Sequence, residues 1–569
     1  MPRQDRSSRC WPPCPLGWVM AAALLCLGSA APWAAAAAAP AGPRLEVVGA
    51  ILDGRGRGLA GVQLQLEAAG QPLLPESRQP LLSDRQGRFQ AICRLPAGSP
   101  PPGRLVVRAS KPSWQTAAVS FPVHPADAAA PSPLAYQAMG RLTLSRQATP
   151  ALGVAGIILV GVLGLMAAGR LHPALAASLG AALMLFLSYT LGQASADFFI
   201  ISFEEAVAAI DLNAVLLLVG LMLYVGVLKK TGLFPWLAFL AYAGGRGRIV
   251  RVVLLFMGWT ALMSAFLDNV TTVAAMAPLG LALARTLGSS PASFLVPMAL
   301  AAGLGGTATL IGDPANIVIG SAANLTFGAF AASLAPIMIL CLAAAAGFFL
   351  LWYRRDYAQA RRPTAADLTV WQPEGEPLDR PLLSRCLIVL ALMVLFFCLQ
   401  GRLGLKPSVT ALLGAVLLIA VSRLHIADLL SREIQWPLLL VLMAVAIVAA
   451  GAVETGLFDY LARAVEHLVQ GQRTPAILLV LWGGAALAAL VGPIPAAVTL
   501  LPLVASLHES VSDAASGVLW WALALGVGLG GTGTAPLDPT LLWGRDGQAW
   551  LWPILISLLL GSVYLLAVF

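Results

Sequence analysis

The fold class expected of this chain is an all-α polytopic membrane protein, made of inverted five-span repeats with re-entrant hairpins and broken helices and preceded by a small extracytoplasmic β-sandwich. Three observations predict it. Hydrophobic residues make up 59% and charged residues 11% of the 569, a balance that suits a chain dissolved in lipid and excludes an ordinary soluble enzyme. Two polar motifs bearing carboxylates, SAFLDNVTTVAAMAPL at 264–279 and GGTATLIGDPAN at 305–316, interrupt otherwise apolar stretches. The third is a repetition of the chain's own motifs at a near-constant offset.

The N-terminus reads as an export signal. Arg3, Arg6 and Arg9 precede an apolar run, and the Ala-rich tract at 34–39 offers cleavage sites, so 1–39 is either a cut signal peptide or, left uncut, a signal anchor long enough to span. From 44 to 124 short runs of alternating polarity (LEVVGAIL, GVQLQLEA, GRFQAI, RLVVRAS) are separated by Gly, Pro and Asp turns, the pattern of a small β-sandwich. This stretch resembles carboxypeptidase regulatory-like and prealbumin-like domains, which implies a scaffold with no catalytic cluster. The Pro- and Ala-rich stretch 125–150 reads as a linker. The partner of the β domain is not specified by any residue pattern.

Spans follow from apolar length and from the placement of Lys and Arg. Segments 151–169 and 173–193 flank Arg170, and 212–228 ends at Lys229 and Lys230, which puts these cations in the cytoplasm and the N-terminal domain in the periplasm of a bacterial-type inner membrane. The loop 194–211 holds no Lys or Arg, as an outer loop should. The net charge of +8 belongs to such orientation signals. No basic run interleaved with aromatics points to nucleic acid.

Length separates a re-entrant hairpin from a spanning pair. The stretch between Arg251 and Arg285 is enough for two arms of roughly 15 residues and about 22 Å, against a hydrocarbon core of about 30 Å. The tip, LDNVTT, then falls near mid-bilayer, where non-helical backbone survives only beside protein or a water-filled cavity. A carboxylate at that depth costs roughly 2.5–3.5 kcal/mol and is usually kept for an ion or substrate path. The next apolar segment, from about Phe294, breaks at GDPAN, resumes, and returns through 330–353 to Arg354 and Arg355. The link 354–385 carries six Arg and is assigned to the cytoplasm.

KKTGLF at 229–234 recurs as VETGLF at 453–458, and SAFLDNVTTVAAMAPL at 264–279 recurs at the same offset as AALVGPIPAAVTLLPL at 488–503. GGTATLIGDP, starting at 305, recurs as GGTGTAPLDP, starting at 530, an offset longer by one position. Three matches in register mark an internal repeat. Repeat one is therefore drawn at 151–353 and repeat two at 386–569. Five crossings and one hairpin per unit make the second copy inverted, which is the plan of many secondary transporters with a site at the midplane.

The SAFLDNVTT hairpin, the GGTATLIGDPANIVIG break and the preceding LLLVGLMLYVGVLKKTGLF resemble the ArsB/NhaD and P-protein group of the ion transporter superfamily, relatives of divalent-anion/sodium symporters and citrate transporters, over 151–569. The resemblance implies a scaffold domain, a mobile transport domain moving as an elevator, coupling to Na+ or H+, and a homodimer. The second half departs from the pattern. Gly492, Pro493 and Pro495 stand where Asp268, Asn269 and Thr271 stand in the first, and Leu541 replaces Asn316. Either the second cation site is absent or carbonyls of the Gly-Pro-Ile-Pro tip serve it.

Residue chemistry gives the candidate site. A hard monovalent cation such as Na+ wants several oxygens, and Asp268, Asn269 and Thr271 or Thr272 offer carboxylate, amide and hydroxyl oxygens. Carbonyls freed at Gly305, Gly306 and Gly312, with Thr307, Thr309, Asp313, Asn316, Thr532, Thr534 and Asp538, complete the set. Asp313-Pro314 and Asp538-Pro539 also match an N-cap followed by Pro, so both aspartates have a capping role open to them. Asp268 matches no such pattern. The four threonines equally suit bonding to backbone carbonyls, and Lys229 and Lys230 suit orientation. Of the five His none joins a metal-ligand cluster, and no cofactor beyond a coupling Na+ is implied. The expected function is ion transport by alternating access, as Na+/H+ antiport or as movement of an arsenite- or carboxylate-like anion. A transporter-derived sensor or assembly protein with an extracytoplasmic binding module is the alternative, and an enzyme is not expected because no nucleophile, base and oxyanion group converge.

Overall fold

A computed structural model describes residues 43–569 except 54, 55, 57, 69, 70, 77–79, 85, 96–101, 126–133, 362–377, 511–516 and 533–544. The signal assigned to 1–39 therefore lies outside the described residues. The chain divides into a β unit ending at Ser145 and a helical unit, Arg146–Phe569, to which the short segment Pro112–Gln115 also belongs.

The β unit holds eight strands: β1 Arg44–Asp53, β2 Gln63–Ala68, β3 Gln71–Leu73, β4 Leu81–Leu82, β5 Arg88–Arg94, β6 Arg104–Ser110, β7 Ala117–Pro125 and β8 Leu134–Leu144. Alternate residues are buried along β1 and β5, as a sheet with one wet face requires. The strands form one sheet in the order β3-β2-β6-β7-β8-β1-β5 with β4 on β2. This corrects the expected sandwich: β7 pairs β6 through Ala117 to Pro122 and β8 through Val123 to Pro125, so a single sheet curls into a half-barrel. A second correction concerns the stretch 125–150. It contains β8, which runs parallel to β1 in register from Leu45↔Tyr136 to Asp53↔Leu144. Where β1 and β8 pair Gly49 with Gly140, each glycine lies under a ring, Phe89 and Phe121 respectively, so close that a Cβ would stand about 2.5 Å or less from ring carbon.

The helical unit contains eight helices long and apolar enough to cross a membrane among the described residues. In chain order the helices are α1 Pro150–Ala167, α2 Pro173–Ala194, the short α3 Phe203–Ala208, α4 Leu212–Lys229, α5 Leu233–Gly244, α6 Ile249–Ser264, α7 Asn269–Thr286, α8 Ala292–Thr307, α9 Pro314–Ala322 and α10 Phe327–Trp352. They continue with α11 Arg354–Gln359, α12 Arg380–Leu403, α13 Pro407–Ser422, α14 Ile426–Arg432, α15 Trp436–Glu454, α16 Leu457–Val469, α17 Arg473–Val491, α18 Pro493–Ser510, α19 Val518–Gly531 and α20 Arg545–Val568. The link drawn at 354–385 is shorter than expected, because α12 starts at Arg380 with Asp379 capping it, its Oδ1 accepting from the Leu382 amide at 3.0 Å. Arg146, ahead of α1, anchors the turn after α15. It donates to the carbonyls of Val453 (3.0 Å) and Glu454 (2.6 Å), pairs with Asp459 at 2.9 Å and lies 4.5 Å over the Trp114 ring.

Two arms of 16 and 18 residues, α6 and α7, meet at Ala265–Asp268. The short helices α8 and α19 cross the unit's centre and are buried along most of their length. Their crossing is reciprocal: a Cβ on Gly303 would stand 1.8 Å from Thr532 Cγ2, and one on Gly528 would stand 2.4 Å from Thr307 Oγ1. Each also packs on a hairpin arm through backbone, Gly305 against the Ala261 carbonyl and Gly530 against that of Ala485, both at 2.1 Å from a built Cβ. Small residues at such contacts let helices approach where lipid supplies no hydrophobic drive between them.

Two outcomes follow. Gly305→Ala and Gly530→Ala should each lower unfolding free energy by about 1–3 kcal/mol in detergent, since neither carbonyl can move aside, while Gly161→Ala, whose Cβ meets nothing within 4 Å, leaves melting unchanged. In the β unit, burial pushes the Cys93 thiol up to about 11. Peptide mapping after iodoacetamide at about pH 8 should find Cys93 unmodified in native protein and modified after unfolding, because the thiolate is the nucleophile.

Candidate functional site

Two interruptions of helix face each other inside the helical unit, the hairpin tip 265–268 and the break 308–313 between α8 and α9. Each leaves helix ends whose N–H and C=O groups have no partner within their own helix, and side chains supply the partners. Asp268 is the N-cap of α7, its Oδ1 accepting from the Thr271 amide at 2.7 Å. That corrects the expectation that Asp268 has no capping role. Asp313 caps α9 in the same way, Oδ1 accepting from the Ala315 amide at 2.8 Å.

Side chains also tie the two interruptions together. Asn269 Nδ2 donates to Asp313 Oδ2 at 3.0 Å. The Thr309 hydroxyl donates to the Ala265 carbonyl and accepts from the Gly312 amide at 3.1 Å. Gly312 lies so close to Ser264 that a Cβ would stand 2.6 Å from the serine carbonyl, and 2.7 Å from that of Gly306. On the far side of the break Asn316 Nδ2 reaches the Thr309 carbonyl at 3.0 Å, with those of Gly306 and Thr307 at 3.4 Å. Asn316 thereby closes the C-terminal end of α8 from beyond the break.

Several oxygens of this cluster remain uncommitted. Ser264 Oγ, Thr272 Oγ1 and Asn316 Oδ1 are buried without a hydrogen-bond partner in the structure, and all three residues are fully buried. Asp313 is 1% exposed, whereas Asp268 and Asn269 are half-buried. The two carboxylates are close enough for their charges to act on each other, and the Lys229 ammonium acts on Asp268. Two hydroxyl oxygens and an amide oxygen thus stand unpartnered in a cluster that also holds two carboxylates, and all of these oxygens can ligate a cation. The capping carboxylates already occupy amides that an anion would use at the N-termini of α7 and α9.

The remaining sequence candidates fall into three groups. Thr271 offers its Oγ1 to Gln435 Nε2 at 3.1 Å, and Thr307 donates to the Gly303 carbonyl at 2.8 Å. Gly305 differs from the expectation of a freed carbonyl, because its oxygen accepts the Ala308 amide at 3.2 Å and its α-carbon serves close packing. Thr532 bonds the Leu529 carbonyl and turns its methyl to Gly303. Thr534, Asp538 and Leu541 lie outside the described residues. In the second hairpin one residue, Gly492 at φ 92°, separates α17 from α18, and Thr499 Oγ1 is buried without a partner.

Sequence reasoning missed Glu433 and Gln435. Glu433 Oε2 pairs with Lys229 Nζ at 2.9 Å, so Lys229 has a specific partner as well as an orienting charge. Both residues sit in the polar step EIQ directly before the apolar run of α15. Their partners lie 204 and 164 residues away, beyond the reach of local pattern.

A family model described as citrate transporter, CitMHS, matches residues 157–526. An uncharacterized transporter of Mycobacterium bovis is 37% identical over 384 residues, covering 67% of this chain and 87% of that protein. The mouse P protein is 28% identical over 479 residues, covering 70% of this chain and 56% of the P protein. The crystal structure of the Alcanivorax borkumensis YdaH transporter aligns with a TM-score of 0.47 at 18% identity, over 69% of this chain and 98% of that one. The chain belongs to the CitMHS citrate transporter family, with the P proteins among its relatives, and is a multi-pass secondary transporter of a small solute rather than an enzyme.

Proposed function

We propose that this transporter is driven by a cation, Na+ or H+, bound between the first hairpin tip and the first helix break. The observation that carries the reading is the Asn269–Asp313 bond between two interrupted helices, surrounded by Asp268 and by the unpartnered oxygens of Ser264, Thr272 and Asn316. Asp268, Asn269, Thr272, Asp313 and Asn316 are the ligands, while Thr271, Thr307, Thr309, Gly305, Gly306 and Gly312 shape the cradle. Na+/H+ exchange and cation-driven uptake of a carboxylate or similar anion share this requirement, and the family description favours the carboxylate.

Inverted repeats supply the mechanism. Gly303 and Thr307 correspond in the repeat to Gly528 and Thr532, and these four residues make the reciprocal crossing. Gly232 and Gly456, matched within the two TGLF motifs, both begin a helix with positive φ, at 73° and 88°. Such pairs support two copies of one unit related by pseudo-twofold symmetry, with alternating access by elevator-like movement of the hairpins and broken helices. The second copy, lacking a carboxylate at Gly492, contributes packing more than ligands. The N-terminal domain belongs to the periplasmic side of an inner membrane, the side to which the Lys- and Arg-free loop 194–211 is assigned.

In proteoliposomes of the full chain, an outward proton gradient should drive uptake of radiolabelled Na+, or an inward Na+ or H+ gradient uptake of radiolabelled citrate, and Asp268→Asn should reduce the rate by about tenfold or more, about 1.4 kcal/mol or more on the barrier. Wild-type vesicles that show no flux under Na+, H+ or citrate gradients would sink the reading.

A further inference from the structure

The Lys229–Glu433 pair stands beside the cation cradle and plays no part in the reading above. Its geometry is built. Glu433 lies flat on α4 because residue 226 is glycine: a Cβ there would stand 2.5 Å from Glu433 Cγ. Two residues on, Gln435 Nε2 holds the Thr271 hydroxyl at 3.1 Å, and the Thr271 amide holds Asp268 Oδ1 at 2.7 Å. The link before α15 is thereby fixed against the hairpin tip, and Lys229 is within electrostatic range of Asp268 while bonded to Glu433 at 2.9 Å. The side chains of Lys229 and Glu433 are 36% and 18% exposed, so water screens the pair only in part.

We propose that Lys229 is the resident counter-charge of the hairpin site, held away from Asp268 by Glu433, and that this pair sets the affinity of the site for its cation. The proposal rests on the cation reading of Asp268 and adds a competitor to it. With the site empty, the ammonium is bonded to Glu433 and only its field reaches Asp268. With a cation on Asp268, Glu433 keeps the ammonium, so the arriving charge meets less repulsion. Glu433 is a positioning residue here, since it acts through Lys229.

The test is thermal unfolding of the full-length protein in detergent, titrated with NaCl against choline chloride at constant ionic strength, because a bound ligand raises the melting temperature by mass action. Lys229→Gln should lower the Na+ concentration for half-maximal stabilisation by about tenfold, and Glu433→Gln should raise it by about tenfold. A merely structural pair would shift both variants alike, since each breaks the same bond. The double variant separates competition from simple field effects: without Lys229 the Glu433 change has nothing to release, so K229Q/E433Q tracks K229Q. Additive behaviour that returns the double variant to wild type, or singles that shift together or not at all, overturns the proposal even where Asp268→Asn abolishes the Na+ response. A wild type whose melting ignores Na+ overturns this inference and the Na+ form of the cation reading, and leaves only proton coupling to the flux measurement.

Discussion

A helix that stops inside hydrocarbon strands its terminal N–H and C=O groups where no water can reach them, and each group left unpaired there costs several kcal/mol. The rest of the central architecture depends on how this is answered. Asp268 and Asp313 cap the two restarting helices, and Asn316 gathers the carbonyls at the end of α8. Asn269 and Thr309 then tie one interruption to the other. These side chains must be polar to do that, so the solution to a folding problem also leaves spare oxygens in a buried place. Ser264, Thr272 and Asn316 hold such oxygens. Structural capping and the proposed ion binding therefore draw on the same carboxylates, using different lone pairs.

Much of this could be read from residues alone. The polar LDNVTT step between Arg251 and Arg285 locates the turn at which α6 and α7 meet. GDPAN locates the break, and the Thr-Gly pair after Lys230 locates the end of α4. The capping by Asp268 was hidden because LDNVTT looks unwound throughout, whereas helix resumes at Asn269 and makes Thr271 the third residue of a turn. β8 was hidden by its surroundings, since Pro and Ala on either side mask a run whose partner strand, β1, lies at the far end of the unit's sequence. Glu433 and Gln435 were hidden by distance along the chain, because their partners are set by packing between the two halves of the helical unit.

Among the described residues the two hairpin tips differ in chemistry, while α8 and α19 pack through glycine in the same way. At Gly492 the second tip has neither carboxylate nor amide, yet α19 keeps the glycine ladder Gly526, Gly528 and Gly530. Gly526 and Gly530 meet backbone carbonyls of α17, and Gly528 meets Thr307. These contacts of α19 are made by backbone and small side chains and need no ligand at the second tip. Arg146 does similar service at the turn between α15 and α16, where its guanidinium satisfies two carbonyls and an acid at once, the multiple bonding that suits Arg more than Lys.

The reciprocal glycine and threonine crossing of α8 and α19 also constrains how such a sequence can drift. Enlarging Gly303 demands a smaller residue at 532, and enlarging Gly528 demands one at 307, so four positions are bound into two exchanging couples. Among descendants of this chain, substitutions there should arrive in matched sets, with side-chain volume passed from one helix to the other and the total conserved.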